Sequence, residues 1–287
     1  MKNQHLNHLL EISLATLFIS TSGTLGKYID IPTPVIIWLR SAIALVFLYI
    51  YCRFRRIDLR LKSKKDQWGF IIGGLFLGAH WITYFYALKL SNVALGMLSI
   101  HTYPIIIVLL EPLFMKFKMD KVHIVLGFVV LAGIYILSPD FDIDDSHVQG
   151  ILLGILSAFC YALRILILKR FISRYDGTML MLHQLIIITI VLVPVLFLMD
   201  TSGIGSQFPY VILLALLTTA IGHTMFVRSL KYFSASTAGI ITSAIPIYGI
   251  IIAFFFLGEI PEWNTYLGGF LIVSTVIIES IRSKKRA

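Results

Sequence analysis

Long apolar runs separated by short polar segments fill almost the whole chain. A transmembrane helix needs about 20 mostly apolar residues, and ten runs reach or approach that length. These runs lie at roughly 9–28, 34–52, 67–88, 93–114, 122–138, 150–168, 178–199, 208–229, 235–257 and 264–282. The segments between them are at most about 14 residues long. The pattern therefore predicts an all-α integral membrane protein with ten transmembrane helices and no soluble domain.

The composition supports this prediction. Of 287 residues, 58% are hydrophobic and 14% are charged, whereas soluble proteins carry about 25% charged residues. This excludes an ordinary soluble enzyme, a disordered protein and a secreted disulfide scaffold. The net charge of +9 does not indicate nucleic-acid binding, because the charges cluster in short segments between the runs. Cys52 and Cys160 both lie inside runs, which argues against a disulfide or a metal site.

The distribution of basic residues predicts the orientation, since Lys and Arg in short loops stay in the cytoplasm. With the N-terminus inside, 20 basic residues fall on the cytoplasmic side, and only Lys27 and Lys89 fall outside. The loop at 140–149 holds four Asp and no Lys or Arg, and it also falls outside. The first run lacks a small-residue cleavage site and is expected to be retained as a span. We expect both termini in the cytoplasm.

An offset of 142 residues aligns the first five runs with the last five. Residues 87–114 then lie over 229–256, with Lys89 on Lys231 and Pro104 on Pro246. Further identities at this offset are Lys27 with Lys169, Leu88 with Leu230, and Gly127 with Gly269. Because each copy has an odd number of spans, the second copy enters the membrane in the opposite sense. Such inverted repeats are typical of many secondary transporters.

Several short motifs occur in a fixed order along these runs. The second run contains TPVIIWLRSAIAL with Arg40, and the ninth is followed by LGE ending at Glu259. The fourth and ninth runs contain YALKLSNVALGMLSIHTYP and LKYFSASTAGIITSAIP. With these motifs the chain resembles the EamA branch of the drug/metabolite transporter (DMT) superfamily. The resemblance covers two units, at about 10–138 and 149–281.

The resemblance implies a fold of two inverted five-helix EamA repeats and a carrier without an ATPase domain. It implies a multi-pass protein of the bacterial inner (plasma) membrane that exports small metabolites such as amino acids by alternating access. A small-molecule substrate and the lipid bilayer are then the partners. No cofactor, nucleic acid or obligatory protein partner is expected.

Aromatic and imidazole side chains in mid-run positions are candidates for the substrate site. His80 and Tyr84 are four residues apart and share one helical face, and the repeat offset places Trp81 on the position of His223. Such a surface suits a planar or zwitterionic ligand through stacking and hydrogen bonds. The alternative is ordinary packing. The predicted substrate-binding residues are His80, Trp81, Tyr84, His101, Tyr103, Tyr161, Arg164 and His223.

Pro104 and Pro246 lie near the middle of the fourth and ninth runs at equivalent repeat positions. A proline inside a helix removes one backbone hydrogen bond and separates the adjoining turns. Paired broken helices are typical of a binding site at the membrane midplane. Both prolines are therefore predicted hinge residues, with a static kink as the alternative.

Charged residues inside the runs have open alternatives. Arg164 either extends toward the cytoplasmic surface or anchors a carboxylate or phosphate. For Arg40 we favour a structural or gate role. Glu11 and Glu111 either face headgroups and basic residues, or couple transport to protons, because low dielectric raises a carboxyl pKa.

Two other classes of function are weighed against a transporter. An intramembrane enzyme, of the acyl- or glycosyltransferase type, would need clustered polar residues at one membrane face, and the predicted outer loops are too short and too poor in them. A non-transporting structural or sensory subunit would have no need of paired mid-helix prolines. The chain shows no Walker A, HExxH or GxSxG motif and no Cys-pair zinc site, so no catalytic or metal-binding residue is predicted.

Overall fold

Every regular element in the described part of the chain is a helix. A computed structural model describes residues 2–115, 121–137, 142–233, 238 and 241–284. The helices are α1 (Lys2–Tyr28), α2 (Thr33–Phe54), α3 (Asp66–Leu90), α4 (Val93–Ile100), α5 (Tyr103–Met115), α6 (Lys121–Leu137), α7 (Ser146–Lys169), α8 (Gly177–Val191), α9 (Val195–Leu198), α10 (Ile204–Leu213), α11 (Thr224–Ser229), α12 (Ala244–Leu257) and α13 (Trp263–Lys284). A π-helical stretch, Leu214–His223, joins α10 to α11.

Seven helical segments are long and apolar enough to cross a membrane. They are Asn7–Tyr28, Thr33–Phe54, Asp66–Leu90, Val93–Leu110, Ser146–Lys169, Gly177–Leu198 and Ile204–Ser229, and two shorter apolar helices are Val125–Leu137 and Ala244–Leu257. The protein is thus an all-helical, multi-pass membrane protein. The count of ten spans stays a prediction.

The polar segments between the apolar runs supply helix caps. Asn92 Oδ1 accepts a hydrogen bond from Leu95 N–H at 2.8 Å at the start of α4. Asp145 and Asp176 cap α7 and α8 in the same way. Gly258 has φ +68° at the end of α12, a left-handed conformation that glycine adopts without steric cost. These caps satisfy backbone groups that the apolar surroundings cannot.

The helix breaks lie directly before the two predicted hinge prolines. In the fourth run, His101 and Thr102 form a turn between α4 and α5, and Pro104 is the second residue of α5. Near the ninth run, Ser243 is a turn residue before α12, and Pro246 is its third residue. A proline is tolerated in the first turn of a helix, where its missing N–H has no helical partner. The two breaks are 142 residues apart, at equivalent positions of the repeat.

Helices from the two halves of the chain pack in matched pairs. The extensive pairing of α3 with α7 has its counterpart in α1 against the π-helical stretch and α11. The contact of α4 with α7 corresponds to that of α12 with α1, and α3 on α8 corresponds to α2 on the π-helical stretch. The remaining pairs join corresponding helices: α2 with α8, α4 with α12, and α6 with α13. A two-fold relation between the halves produces this pattern.

Close helix contacts depend on small residues at α7. A methyl group added at Gly150 would meet Ser91, and one added at Gly154 would meet the Ser99 side chain. Both serines are buried and lie after α3 and in α4. Without water between helices, association depends on such close packing. The glycine spacing therefore fixes how near α7 approaches its neighbours.

Replacing Gly154 by Ala should destabilise the protein, because the added methyl group has no space and overpacking costs about 1–3 kcal/mol. The matched control is Gly127→Ala in α6, where an added methyl group meets nothing within 4 Å. There the higher helix propensity of Ala, about 1 kcal/mol at most, should leave stability equal or raised. Thermal unfolding of the purified variants in detergent measures both. Equal effects at the two positions would contradict the close packing at α7.

Candidate functional site

A closed central cavity lies where helices of the two halves meet. It is lined by Ile19, Ser22, Arg40, His80, Trp81, Tyr84, Ile100, His101, Tyr103, Tyr161, His223 and Ile245. Its free volume is about 30 Å³, room for about two water molecules. In this conformation the cavity is too small for a metabolite, so any ligand requires the surrounding helices to move apart.

Most of the predicted substrate-binding residues lie on this wall. His80, Trp81, Tyr84, His101, Tyr103, Tyr161 and His223 all line the cavity, and Arg164 does not. Sequence reasoning missed Ser22 and three isoleucines, which carry no signal apart from their repeat positions. It also gave Arg40 a structural or gate role, whereas Arg40 is part of the wall. That these residues bind a substrate stays a prediction.

The cavity wall contains three residue pairs separated by the repeat offset of 142. The pairs are Ile19 with Tyr161, Trp81 with His223, and Tyr103 with Ile245. The rings of Trp81 and His223 face each other with centroids 5.3 Å apart. The two halves therefore contribute equivalent backbone positions with different side chains.

Arg40 is fully buried and is held by hydroxyl groups. Its Nε and Nη2 donate to Thr219 Oγ1 at 2.9 and 2.7 Å, and Nη2 also donates to Thr218 Oγ1 at 2.9 Å. The guanidinium carbon lies 4.1 Å from the centroid of the Trp81 ring and 5.4 Å from that of Phe85. These cation–π contacts stabilise a charge that apolar surroundings disfavour.

The acceptors of Arg40 come from the π-helical stretch. Thr218 and Thr219 lie within it, and His223 ends it. A π-helix has i→i+5 hydrogen bonds and often occurs at functional sites. Sequence reasoning did not predict this geometry, although two adjacent threonines in mid-run were a signal, because polar groups inside a membrane are costly.

Arg164 is also fully buried, but its partner is an amide. Its Nε and Nη2 donate to Gln184 Oε1 at 3.1 and 2.8 Å, and its guanidinium carbon lies 5.4 Å from the centroid of the Tyr161 ring. The interpretation that Arg164 extends toward the membrane surface is wrong, because Gln184 of α8 holds it inside the bundle. It reaches the cavity only through Tyr161.

His80 and Ser157 form a reciprocal clamp between α3 and α7. Ser157 Oγ donates to the His80 carbonyl at 2.7 Å, and His80 Nδ1 lies 2.8 Å from Ser157 Oγ and 3.2 Å from the Ser157 carbonyl. Because a carbonyl only accepts, Nδ1 carries the proton. The His80 ring is stacked on Tyr161 with centroids 4.4 Å apart. This clamp fixes the orientation of one side of the cavity.

One end of the bundle is joined by Lys27. Its ammonium group donates to the carbonyls of Lys89 and Ser91, at 3.2 and 2.6 Å, where α3 ends. At the same end, Glu259 Oε2 accepts from Val93 N–H at 2.8 Å and so caps α4. A cation at the end of a helix and an anion at the start of another both favour the helix dipole.

The other end has the equivalent lysine. Lys169 donates to the carbonyls of Leu230 and Phe233, both at 2.9 Å, after α11 ends. Its positions relative to Lys27 and Ser91 follow the repeat offset of 142 for Lys169 and Phe233. Each lysine therefore closes the end of a helix within its own half, at opposite ends of the bundle.

The Lys169 end also carries ion pairs. Glu11 lies 3.2 Å from Arg228 Nε, and Asp66 lies 3.2 Å from Arg174 Nη2. The Tyr175 hydroxyl donates to Asp66 Oδ2 at 2.6 Å, and burial together with this bond raises the pKa of Tyr175. The predicted coupling residue Glu111 lies in α5, but its side chain is outside the described residues.

Metal binding finds no support in the part of the chain that the structure describes. There, no group of three or more His, Cys, Asp and Glu side chains is close enough to hold an ion.

Comparisons with known proteins agree with the geometry. The model of the EamA-like transporter family matches residues 8–138 and 148–281. The pseudopaline exporter CntI of Pseudomonas aeruginosa is 24% identical over 89% of this chain and 88% of its own length. An uncharacterized transporter of Bacillus subtilis, YxxF, is 22% identical over 97% of this chain and 91% of its own length. A solved crystal structure shares the fold, with a TM-score of 0.72 and 19% identity over 97% of this chain and 98% of that one.

Replacing Thr219 by Val should destabilise the protein, because Arg40 Nε would lose its acceptor inside the bundle. Hydrogen bonds to a charged group contribute about 1.5–3 kcal/mol, and the unfolding temperature should fall accordingly. The control is Thr189→Val in α8, whose buried hydroxyl has no partner among the described residues. That change should be neutral or stabilising. Similar unfolding temperatures for the two variants would show that the threonines do not hold Arg40.

Proposed function

This chain belongs to the EamA-like transporter family, and on that premise we propose that it is a secondary transporter of small metabolites such as amino acids. It works by alternating access, with the central cavity as the substrate site. The observation that carries the proposal is the cavity itself, which lies between the two halves and takes equivalent positions from both. Substrate sites of repeat transporters lie at such an interface near the membrane midplane.

The proposed architecture is ten transmembrane helices in two inverted five-helix repeats, at 10–138 and 149–281. The matched helix pairs support it, as do the helix breaks at His101 and Ser243. The two lysine contacts add support, because equivalent residues lie at opposite ends of the bundle, as an inverted repeat requires. Pro104 and Pro246 start the helices after the breaks and are the proposed hinges.

We place the protein in the bacterial inner membrane, with both termini cytoplasmic and transport directed outward. The distribution of basic residues supports the orientation. The similarity to CntI, which is named a pseudopaline exporter, supports the direction. The Lys27 end then faces outward and the Lys169 end faces the cytoplasm. A coupling role for Glu11 or Glu111 stays a prediction, and the ion pair of Glu11 with Arg228 ties it to the cytoplasmic end.

Counterflow in proteoliposomes tests the function. Vesicles loaded with an unlabelled amino acid or nucleoside should accumulate the labelled form, since only a carrier exchanges solute across an intact bilayer. Trp81→Ala and His101→Ala should each lower the exchange rate at least tenfold, because both side chains form the cavity wall. Trp263→Ala is the control, because Trp263 is 74% exposed on the bundle surface. Exchange that is absent for a broad metabolite panel, or unaffected in both cavity variants, would contradict the proposal.

The two lysines test alternating access. Lys27→Met should favour opening of the outer end and Lys169→Met opening of the cytoplasmic end, because each change removes one closing contact. A shift of about 1.4 kcal/mol changes the ratio of the two states tenfold. The readout is labelling of a Ser22→Cys variant, free of other cysteines, by an impermeant thiol reagent applied outside.

Labelling should rise with Lys27→Met and fall with Lys169→Met. Lys64→Met, in an exposed loop, should leave it unchanged. Changes in the same direction for both lysines would show that the halves are not inverted partners in opening and closing.

A further inference from the structure

Two polar groups on the cavity wall can only donate hydrogen bonds, and neither has a partner. Arg40 Nη1 and Trp81 Nε1 are both buried and unpaired among the described residues. Arg40 is 0% and Trp81 1% exposed. Guanidinium and indole nitrogens have no acceptor capacity. A ligand that satisfies them must therefore supply acceptor atoms.

The cavity also holds positive charge without a matching acid. Of the lining residues that the structure describes, none is Asp or Glu, and the ion pairs found among the described residues are those of Arg174 and Arg228. Arg40 and Arg164 both act electrostatically on His80 and His223. Buried cations without a paired anion are costly, so an anionic ligand is favoured.

The rest of the wall is aromatic and apolar. Tyr84, Tyr103 and Tyr161 lie beside three isoleucines, and the faces of aromatic rings favour flat apolar groups. The Trp81 ring lies under the guanidinium group, so the two free donors are close together. A carboxylate, with two oxygens in one plane, accepts from such a pair of donors.

We propose that the cavity binds an organic carboxylate with a flat apolar body, anchored by Arg40 with Trp81 as second donor. The proposal rests on the proposed function and narrows its substrate class. Arg40 Nε and Nη2 keep their threonine partners, while Nη1 turns its charge to the ligand. Arg164 raises the positive potential but keeps Gln184 as its partner and does not touch the ligand.

Binding measurements on matched acids and amides test this. Isothermal titration of the purified full-length protein would compare 3-phenylpropionate with 3-phenylpropanamide, which have nearly the same size and shape. A panel of aryl and alkyl monocarboxylates, each with its primary amide, extends the comparison. We expect at least one acid to bind at least tenfold tighter than its amide. Equal affinity within every pair, or no binding by any acid, would overturn the proposal.

Variants assign the anchor. Arg40→Gln should remove the preference for the acid and leave the affinity for the amide unchanged, which also shows that the variant is folded. Arg40→Lys keeps the charge without the planar fork and should retain part of the preference. A preference for acids that persists in Arg40→Gln would overturn the assignment.

Trp81→Phe keeps an aromatic ring but removes the donor, and it should weaken acid binding several-fold. The matched control is Trp38→Phe, because Trp38 Nε1 donates to the Thr189 carbonyl at 3.0 Å, away from the cavity. An equal effect of the two tryptophan variants would exclude Trp81 as a ligand donor.

The outcomes separate this inference from the transport proposal. Arg40-dependent binding of acids without counterflow would leave the carboxylate site standing and overturn transport. Counterflow of neutral or cationic solutes, with no acid bound, would leave transport standing and overturn the carboxylate site.

Discussion

A guanidinium group enclosed in an apolar bundle, with neutral hydroxyl groups as its protein partners, is the constraint on which the other parts depend. An arginine at the centre of a membrane helix costs about 2.5–3.5 kcal/mol on insertion scales. The protein offsets this cost for Arg40 with acceptors from the π-helical stretch and with the Trp81 ring. Three helical elements, α2, α3 and the π-helical stretch, must therefore meet at one point. The cavity lies at that meeting point.

The sequence was sufficient for the parts of this arrangement that depend on local cost. Apolar runs of about 20 residues predict helices across a membrane, because an unpaired backbone is excluded there. His80, Trp81 and His223 were found because polar and aromatic groups in mid-run require an explanation, and the repeat offset linked the two halves. The helix breaks before Pro104 and Pro246 follow from the missing N–H of proline.

The same reasoning failed where the deciding partner is distant along the chain. Arg40 and Arg164 are both single cations within apolar runs, and depth alone cannot separate a wall residue from one bound elsewhere. Their placement depends on Thr219, 179 residues away from Arg40, and on Gln184 of the next helix. The π-helical stretch was equally hidden, since one extra residue per turn leaves no mark on an apolar run. Interactions between helices, and not local propensity, decide both features.

The pairing of Trp81 with His223 has a consequence for inhibitors. The halves supply equivalent positions but unlike side chains, so the two walls of the cavity differ and a bound molecule has one preferred orientation relative to the membrane. Each end of that molecule then meets a different closing surface. A compound lengthened at one end obstructs closure on a single side and holds the protein open there. Its potency therefore depends on the compartment from which it is applied.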